Sequence, residues 1–401
     1  MLSEQTRSLV KATVPVLKEH GVTLTSHFYR RMFAHNPELK HIFNQGHQGS
    51  GQQQQALAGA VLGYAEHIDD PSVLAPVVMR IAHKHASLGI RAEHYPIVGG
   101  HLLASIREVL GEAASDELVA AWGEAYGQLA DILIAAEAVL YKTATLADGG
   151  WSGYRPFRVI ERTKEGNEIA SFYLVPADGG AVPAFRPGQY VSVRVFLPEL
   201  GLAQPRQYSL SDAPNGRYLR ISVKREAGDD VRPSGRVSNH LHDTLKTGAV
   251  LELSAPMGDF VLHEDRETPV VLISAGVGQT PMMAMLQTLV AQDSPRDIVY
   301  LHAARNEAAL AFADTLKTLA EPRPRLKHAL FVEDGAADGR HRHAGRIERD
   351  TLAEHALTEG ADYYLCGPLP FMSAQKSALL SLGVAPERVH YEVFGSDPLT
   401  V

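Results

Sequence analysis

Three groups of residues have types and spacings that could do chemistry. In the first, Val78, Ile81, His85 and Leu88 recur at helical spacing before Gly89, so an imidazole falls on the apolar stripe of a helix. A later helix repeats the anomaly with an acid. Trp122, Tyr126, Leu129, Leu133, Glu137 and Leu140 share a face, and a buried Glu is costly unless paired. The second group is Arg206-Gln207-Tyr208-Ser209, a little downstream of Pro187-Gly188-Gln189-Tyr190. A cation, a planar aromatic and a hydroxyl packed into one strand suit an anionic, flat, hydrogen-bonding ligand such as a flavin dinucleotide. The third is Gly276-Val277-Gly278-Gln279-Thr280-Pro281. Glycines after a buried strand let backbone approach a pyrophosphate at a helix N-terminus, and Pro281 suits a first turn. A Gly-x-Gly alone is a weak signal, and this one lacks the third glycine of the dinucleotide fingerprint.

Different kinds of element must position these groups. From Ser3 to about Tyr141 the apolar residues recur every three or four positions, and breakers such as Gly21, Asn36-Pro37, Asp70-Pro71, Gly89 and Gly111 predict six to eight helices without a strand. Tyr95, just before Pro96, stands at a helix entrance and can point toward His85. The opposite wall can come from Phe28, Tyr29, Phe43, Gln53 and Leu57. Ala147-Asp148-Gly149-Gly150 marks a linker. Beyond it, short runs rich in Val, Ile, Tyr and Phe (157–160, 169–175, 190–196, 206–211, 218–223 and 250–254) predict an antiparallel barrel. After Pro269 the pattern alternates: strands at 270–274, 298–302, 326–332, 363–366 and 389–393, with helices at 280–291, 310–319 and 371–382, predict a doubly wound parallel sheet.

Composition bounds the function. At 401 residues the chain exceeds one ordinary domain, and its net charge of −8 without a basic stripe argues against a general nucleic-acid binder. The single cysteine, Cys366, rules out an intramolecular disulfide framework and a multi-cysteine metal cluster. No run approaches the roughly 20 apolar residues of a membrane span, and the first residues carry no signal pattern, so a cytoplasmic location is expected. A monomer is expected as well.

In combination these features resemble the flavohaemoglobins: an all-α globin, then an antiparallel β-barrel FAD domain, then an α/β doubly wound NAD(P) domain of the ferredoxin reductase type. Asn36-Pro37-Glu38-Leu39 leading to Phe43, then Leu57, then Ala82-His83-Lys84-His85 carries the globin part. The expected borders are 1–145 for the haem domain, 146–153 for a linker, 154–265 for the flavin domain and 266–401 for the nucleotide domain. The resemblance implies haem b ligated by His85, with Phe43 packed on the porphyrin and Tyr29, Gln53 and Leu57 forming the distal pocket. It maps the partners of the ligand imidazole onto Glu137 and Tyr95, and Lys84 is a candidate neighbour of the flavin. In the barrel, Arg206 would meet the flavin pyrophosphate and Tyr208 the isoalloxazine. Ser209 would reach the ring nitrogen that receives hydride, with Tyr190 and Gln207 nearby. Val237 and Ser238 open a helix that can hold a phosphate. The polar stretch from Arg225 to Gly235 departs from the family's short glycine turn, so the resemblance does not carry a phosphate-ligand role over to Arg236. In the last domain the resemblance assigns Gly276 to Pro281 and Cys366-Gly367-Pro368 to the nicotinamide coenzyme. It assigns Glu392, Val393, Phe394, Gly395 and Ser396 to the tail that returns to the flavin. Near the end of the second strand stands Arg305, with no acid to take a ribose hydroxyl pair. Both NADH and NADPH therefore stay open.

The implied activity is that of a nitric oxide dioxygenase: nitric oxide and dioxygen become nitrate at haem, with electrons passing from NAD(P)H through FAD. Tyr29 and Gln53 would stabilise bound oxygen while Glu137 and Tyr95 tune the iron through His85. Two other readings compete. One is a gas-binding sensor or carrier with a built-in haem reductase; the other is an NAD(P)H-dependent reductase of hydroperoxides, quinones or ferric chelates. A lipid or azole-like ligand in the distal pocket is left open.

Overall fold

The computed structural model describes residues 2–230, 233–338 and 341–395, without the side chain of His47. By contacts the chain divides into two compact units, Met1–Arg155 with Ser192–Arg206, and Pro156–Val191 with Gln207–Val401.

Up to Leu146 the first unit holds seven α-helices and no strand among the described residues: α1 (Glu4–Ala12), α2 (Val14–His35), α3 (Gln45–Gly49), α4 (Gln52–Glu66), α5 (Ala75–Leu88), α6 (His94–Leu110) and α7 (Asp116–Leu146). Local chemistry sets their ends. Ser3 and Ser115 accept hydrogen bonds from Thr6 N and Leu118 N and so cap α1 and α7. Gly89, at φ 78°, stops α5 in the left-handed conformation that glycine tolerates. The core joins Val10, Phe28, Tyr29, Met32, Tyr64, Ala65 and Trp122, with Phe43 and Leu57 packed against it. Helix α6 starts at His94, so Tyr95 lies inside its first turn and Pro96 follows without loss of a needed N–H.

The next elements are β1 (Tyr154–Glu165), β2 (Ile169–Pro176), β3 (Tyr190–Leu197), β4 (Leu202–Ser209), β5 (Leu219–Lys224), α8 (Arg236–Thr244) and β6 (Val250–Ser254). The strands form one sheet in the order β4-β3-β6-β1-β2-β5, and an antiparallel bridge from Leu210 to Ile221 brings the end of β4 onto β5. That closes the expected barrel.

In the second unit β7 (Val270–Ala275), α9 (Gln279–Ala291), β8 (Ile298–Asn306), α10 (Ala313–Ala320), β9 (Leu326–Asp334), β10 (Arg342–Ala344), α11 (Arg349–His355), β11 (Asp362–Cys366), α12 (Leu369–Ser381) and β12 (Val389–Glu392) build a parallel sheet, ordered β10-β9-β8-β7-β11-β12. Every residue of β7 and β11 is buried, as both faces are covered by helices. Strand β10 and helix α11 escape the sequence pattern. One is three residues long and the other seven, too short to show a period. Strand order reverses at β7, between β8 and β11, and the carboxyl ends beside such a switch point are where these sheets take ligands.

Candidate functional site

Helix α5 presents His85 toward α7. Its Nδ1 lies 2.8 Å from Glu137 Oε1 and 3.2 Å from the Tyr95 hydroxyl, and Tyr95 donates to the same carboxylate oxygen at 2.5 Å. Glu137 is 2% exposed. A carboxylate only accepts, so the imidazole proton sits on Nδ1 and the lone pair is left on Nε2, which has no partner among the described residues. Burial, then the Glu137 hydrogen bond, raises the Tyr95 phenol pKa and keeps it a donor. Tyr95 is itself braced: Tyr126 donates to its carbonyl at 2.7 Å, across Gly99, where any Cβ would stand 2.5 Å from the Tyr126 ring. The sequence reading missed this brace, although Gly99 and Tyr126 lie on adjoining helices. Val78, Ile81 and Leu88 around His85 are only half-buried, whereas Ala82 and Ala86 are buried. The side of α5 bearing His85 thus offers apolar surface of the kind a flat macrocycle covers.

On the other wall Tyr29 is 6% exposed, its hydroxyl meets no hydrogen-bond partner among the described residues, and burial raises its pKa. The Tyr29 ring meets Phe43 edge-on at 5.8 Å. The Phe43 loop is pinned by Gln204 of β4, which accepts from Gln45 N at 3.1 Å and donates to Lys40 O at 3.1 Å. Leu57 joins the same cluster. Gln53 is half-buried and accepts from Gln48 Nε2 at 2.7 Å. Lys84 is half-buried, and its carbonyl accepts from Ser87, whose hydroxyl is reached by Ser192 of β3 at 3.0 Å.

Along β4, Arg206, Gln207 and Tyr208 are half-buried, and Arg206 Nη1 donates to Pro205 O. Ser209 is 5% exposed and its Oγ is buried without a hydrogen-bond partner, as expected of a hydroxyl reserved for a polar ring atom. Tyr190 is half-buried. It bridges Met257 through two 2.8 Å backbone hydrogen bonds, and its ring abuts Gly258, where a Cβ at φ +118° would stand 3.1 Å away. Val237 and Ser238 are buried in the first turn of α8. The Ser238 hydroxyl donates to Gly235 O at 3.0 Å and accepts from Glu226 N at 3.2 Å. It therefore fastens the neck of the polar loop, which also closes through Gly235 N to Glu226 O.

At the switch point, the turn after β7 and the turn after β11 interlock. A Cβ on Gly278 would lie 2.3 Å from Cys366 O, and one on Gly367 would lie 3.2 Å from Ala275. Val277 packs on the core. Thr280 bonds Val277 O, Pro281 is buried in the first turn of α9, and Gly276 has φ +54°. Gln279 is 1% exposed, and its Nε2 is buried without a partner. Cys366 is fully buried, and burial, then the nearby Glu392, pushes its thiol pKa well up. Glu392 ends β12 in register with Cys366, and Pro368 is exposed. Val393 and Gly395 are half-buried and Phe394 is 45% exposed; Ser396 lies outside the described residues.

The lone pair on His85 Nε2 with its apolar surround, the unpartnered Ser209 hydroxyl and the unpartnered Gln279 amide fit haem, flavin and nicotinamide nucleotide respectively. No helix among the described residues is long and apolar enough to cross a membrane.

Comparison with known proteins gives the same three parts in the same order. The globin family model matches residues 26–133, the oxidoreductase FAD-binding domain 156–262, and the oxidoreductase NAD-binding domain 272–377. A flavohemoglobin structure from Malassezia yamatoensis, with bound FAD and heme, superposes with a TM-score of 0.86 at 31% identity, covering 98% of this chain and all of that one. The FAD/NAD-binding domain of a nitric oxide dioxygenase from Vibrio cholerae matches 60% of this chain and 98% of its own, at 45% identity and a TM-score of 0.56. The flavohemoprotein of Bordetella pertussis is 59% identical over 99% of both chains. That of Chromobacterium violaceum is 65% identical over 99% of both. A chain that shares this much sequence from end to end, with haem, FAD and NAD-binding parts that pass electrons from coenzyme to haem, belongs to the flavohemoprotein family.

Proposed function

We propose that the chain is a nitric oxide dioxygenase, converting nitric oxide and dioxygen to nitrate at the expense of a nicotinamide coenzyme. The observation that carries this reading is the chain of contacts from Tyr95 and Glu137 to His85. A gas carrier needs an imidazole ligand, but an anionic partner buried behind it serves a site that activates oxygen. When bound, haem would supply an iron that takes one electron at a time, and FAD would supply a carrier able to accept a hydride and release single electrons.

The residues do the rest. His85 would hold the iron through Nε2, with the imidazole proton kept at Nδ1 by Glu137. Tyr29 donates its free hydroxyl into the distal side with Gln53 beside it, and Phe43 and Leu57 exclude water. Ser209 and Tyr208 position the flavin ring and Arg206 its pyrophosphate. The Gly276 to Pro281 turn and Cys366 to Pro368 seat the coenzyme. The haem and flavin modules are proposed to meet at 146–153, and the flavin and nucleotide modules near 265.

Aerobic rapid mixing of the purified protein with nitric oxide and coenzyme tests the reading. Nitrate should form with about one coenzyme oxidised per two nitrates, since each turnover needs one electron and hydride carries two. Coenzyme oxidation without nitrate would sink it.

The interlocked turns give a second expectation. Gly278→Ala forces its new Cβ against Cys366 O, so the turn must move. Flavin content should be kept while kcat/KM for the coenzyme falls by about 100-fold, the usual result of displacing a reactant by about 1 Å. Anaerobic flavin reduction in a stopped-flow instrument measures it.

A further inference from the structure

We propose that Glu168 sets the choice of nicotinamide coenzyme, by neutralising Arg305 and so disfavouring the adenosine 2′-phosphate that distinguishes NADPH from NADH. The inference uses the nucleotide-binding sheet and is independent of the reaction at haem.

Strand β8 follows β7 in sequence and pairs with it directly, from Val270 with Ile298 to Ala275 with Ala303. In a doubly wound sheet, residues near the carboxyl end of this second strand meet the 2′ position of the adenosine ribose. Arg305 is the penultimate residue of β8, with its side chain 65% exposed. A guanidinium free at that point would grip a phosphate with its planar fork and favour NADPH.

Arg305 is not free. Its Nη2 pairs with Glu168 Oε1, and that carboxylate arrives from the barrel, at the tip of the β1–β2 hairpin. The tip is fixed where it stands. Asn167 N donates to Ala308 O at 2.9 Å, in the turn just after β8, and Arg225 N donates to Glu168 O at 2.8 Å. Gly166, at φ +65°, passes so close that a Cβ would lie 3.0 Å from both Ala308 O and Leu310 O. Backbone hydrogen bonds on both sides thus hold Glu168 against Arg305.

The neighbouring arginines are matched in the same way. Arg342 pairs with Glu307 at 3.3 Å, and Arg346 pairs with Glu333. A 2′-phosphate brought to the end of β8 would meet the Glu168 carboxylate along with the arginine, a like-charge encounter that opposes binding. The ribose hydroxyls of NADH meet no such repulsion and can donate to the same carboxylate.

The test uses the holoprotein, the Glu168→Gln variant and the Glu168→Gln/Arg305→Gln double variant. Calorimetric titration with 5′-AMP and with adenosine 2′,5′-bisphosphate reads the ribose end without any redox chemistry. Anaerobic flavin reduction by NADH and NADPH reads the whole coenzyme. Glu168→Gln should shift both ratios toward the 2′-phosphorylated ligand by about tenfold, the scale expected when a guanidinium is released to bond a phosphate and a carboxylate no longer repels it. The double variant should lose that shift. Ratios unchanged in Glu168→Gln, or a shift that persists without Arg305, would overturn the proposal.

Discussion

On the proposed reading, replacing Glu137 by Gln should lower nitric oxide consumption by about 10- to 100-fold, the usual effect of removing the partner of a metal-bound histidine. Haem should stay bound, because the amide oxygen can still accept from His85 Nδ1 at the position Glu137 Oε1 now holds, 2.8 Å away. What changes is charge. An anion behind the imidazole favours ferric over ferrous iron, so the haem midpoint potential should rise in the variant while the flavin potential stays put. Tyr95→Phe removes a donor that damps the carboxylate's charge and leaves the anion in place, so it should move the potential less and in the opposite direction, downward. His85→Ala sets the outer limit: the Soret band is lost while flavin absorbance and flavin reduction by coenzyme persist. Spectroelectrochemistry on the variants separates tuning from support, since a merely structural Glu137 would cost haem content before it moved a potential.

His85 and Glu137 were legible in the sequence because each broke a rule, whereas Tyr95 was mapped as their partner only by the resemblance. A histidine and a glutamate on apolar helix faces are anomalies that 3.6-residue periodicity exposes, and the structure brings them together although they lie 52 positions apart. The barrel strands and the parallel sheet were legible for a related reason: runs such as Val270 to Ser274 and Tyr363 to Cys366, bounded by Gly or Pro, have few other solutions. What stayed hidden is pairwise. Nothing near Tyr126 announces that its ring needs Gly99 to have no side chain. Glu168 and Arg305 are 137 positions apart and look like ordinary surface charges until the hairpin docks. Gln48 reads as one member of a polar tract until its amide meets Gln53. Ser238 reads as a helix start, whereas its hydroxyl fastens the loop before it. Periodicity reports which face of an element is buried; it carries no information about which distant residue that face meets.

The same limit hid the group with the largest expected effect on stability. Asp362, the first residue of β11, is fully buried. It lies 2.5 Å from Arg266 Nη1, 2.5 Å from Thr268 Oγ1, 3.3 Å from His390 Nε2, 3.5 Å from Arg388 Nη1 and 3.9 Å from Arg296 Nη2. Arg296 is itself 4% exposed in its side chain and spends its other nitrogens on Thr268 O and His263 O. One carboxylate therefore ties the segment before β7 to strands β11 and β12. Asp362→Asn leaves those guanidinium groups without their anion, and breaking a buried pair in this way costs about 3–5 kcal/mol. Scanning calorimetry should show the transition of the nucleotide-binding part displaced to lower temperature.

The pH dependence has a definite sign. Burial alone would raise the Asp362 pKa, but hydrogen bonds from Thr268 and His390 and the Arg266 charge overcome it and hold the carboxyl below its ordinary value. A depressed folded pKa means that the stabilisation is complete above the unfolded pKa, about 3.9, and is lost as pH falls from there through the folded value. His302 acts in a different window. Burial takes its pKa down to about 4, so the unfolded chain binds a proton first and stability drops as pH falls from about 6.5 toward 4. Both proteins keep His302, so its contribution cancels in their difference. Asp362 also supports the proton on His390, whose pKa falls further without it, so the gap in stability between wild type and Asp362→Asn should widen slightly as the pH falls from about 6.5 toward 4 and narrow only below about pH 4. A gap that narrows instead between about pH 6.5 and pH 4 would place the linkage on the histidines, and Asp362 would then be no more than a packing residue.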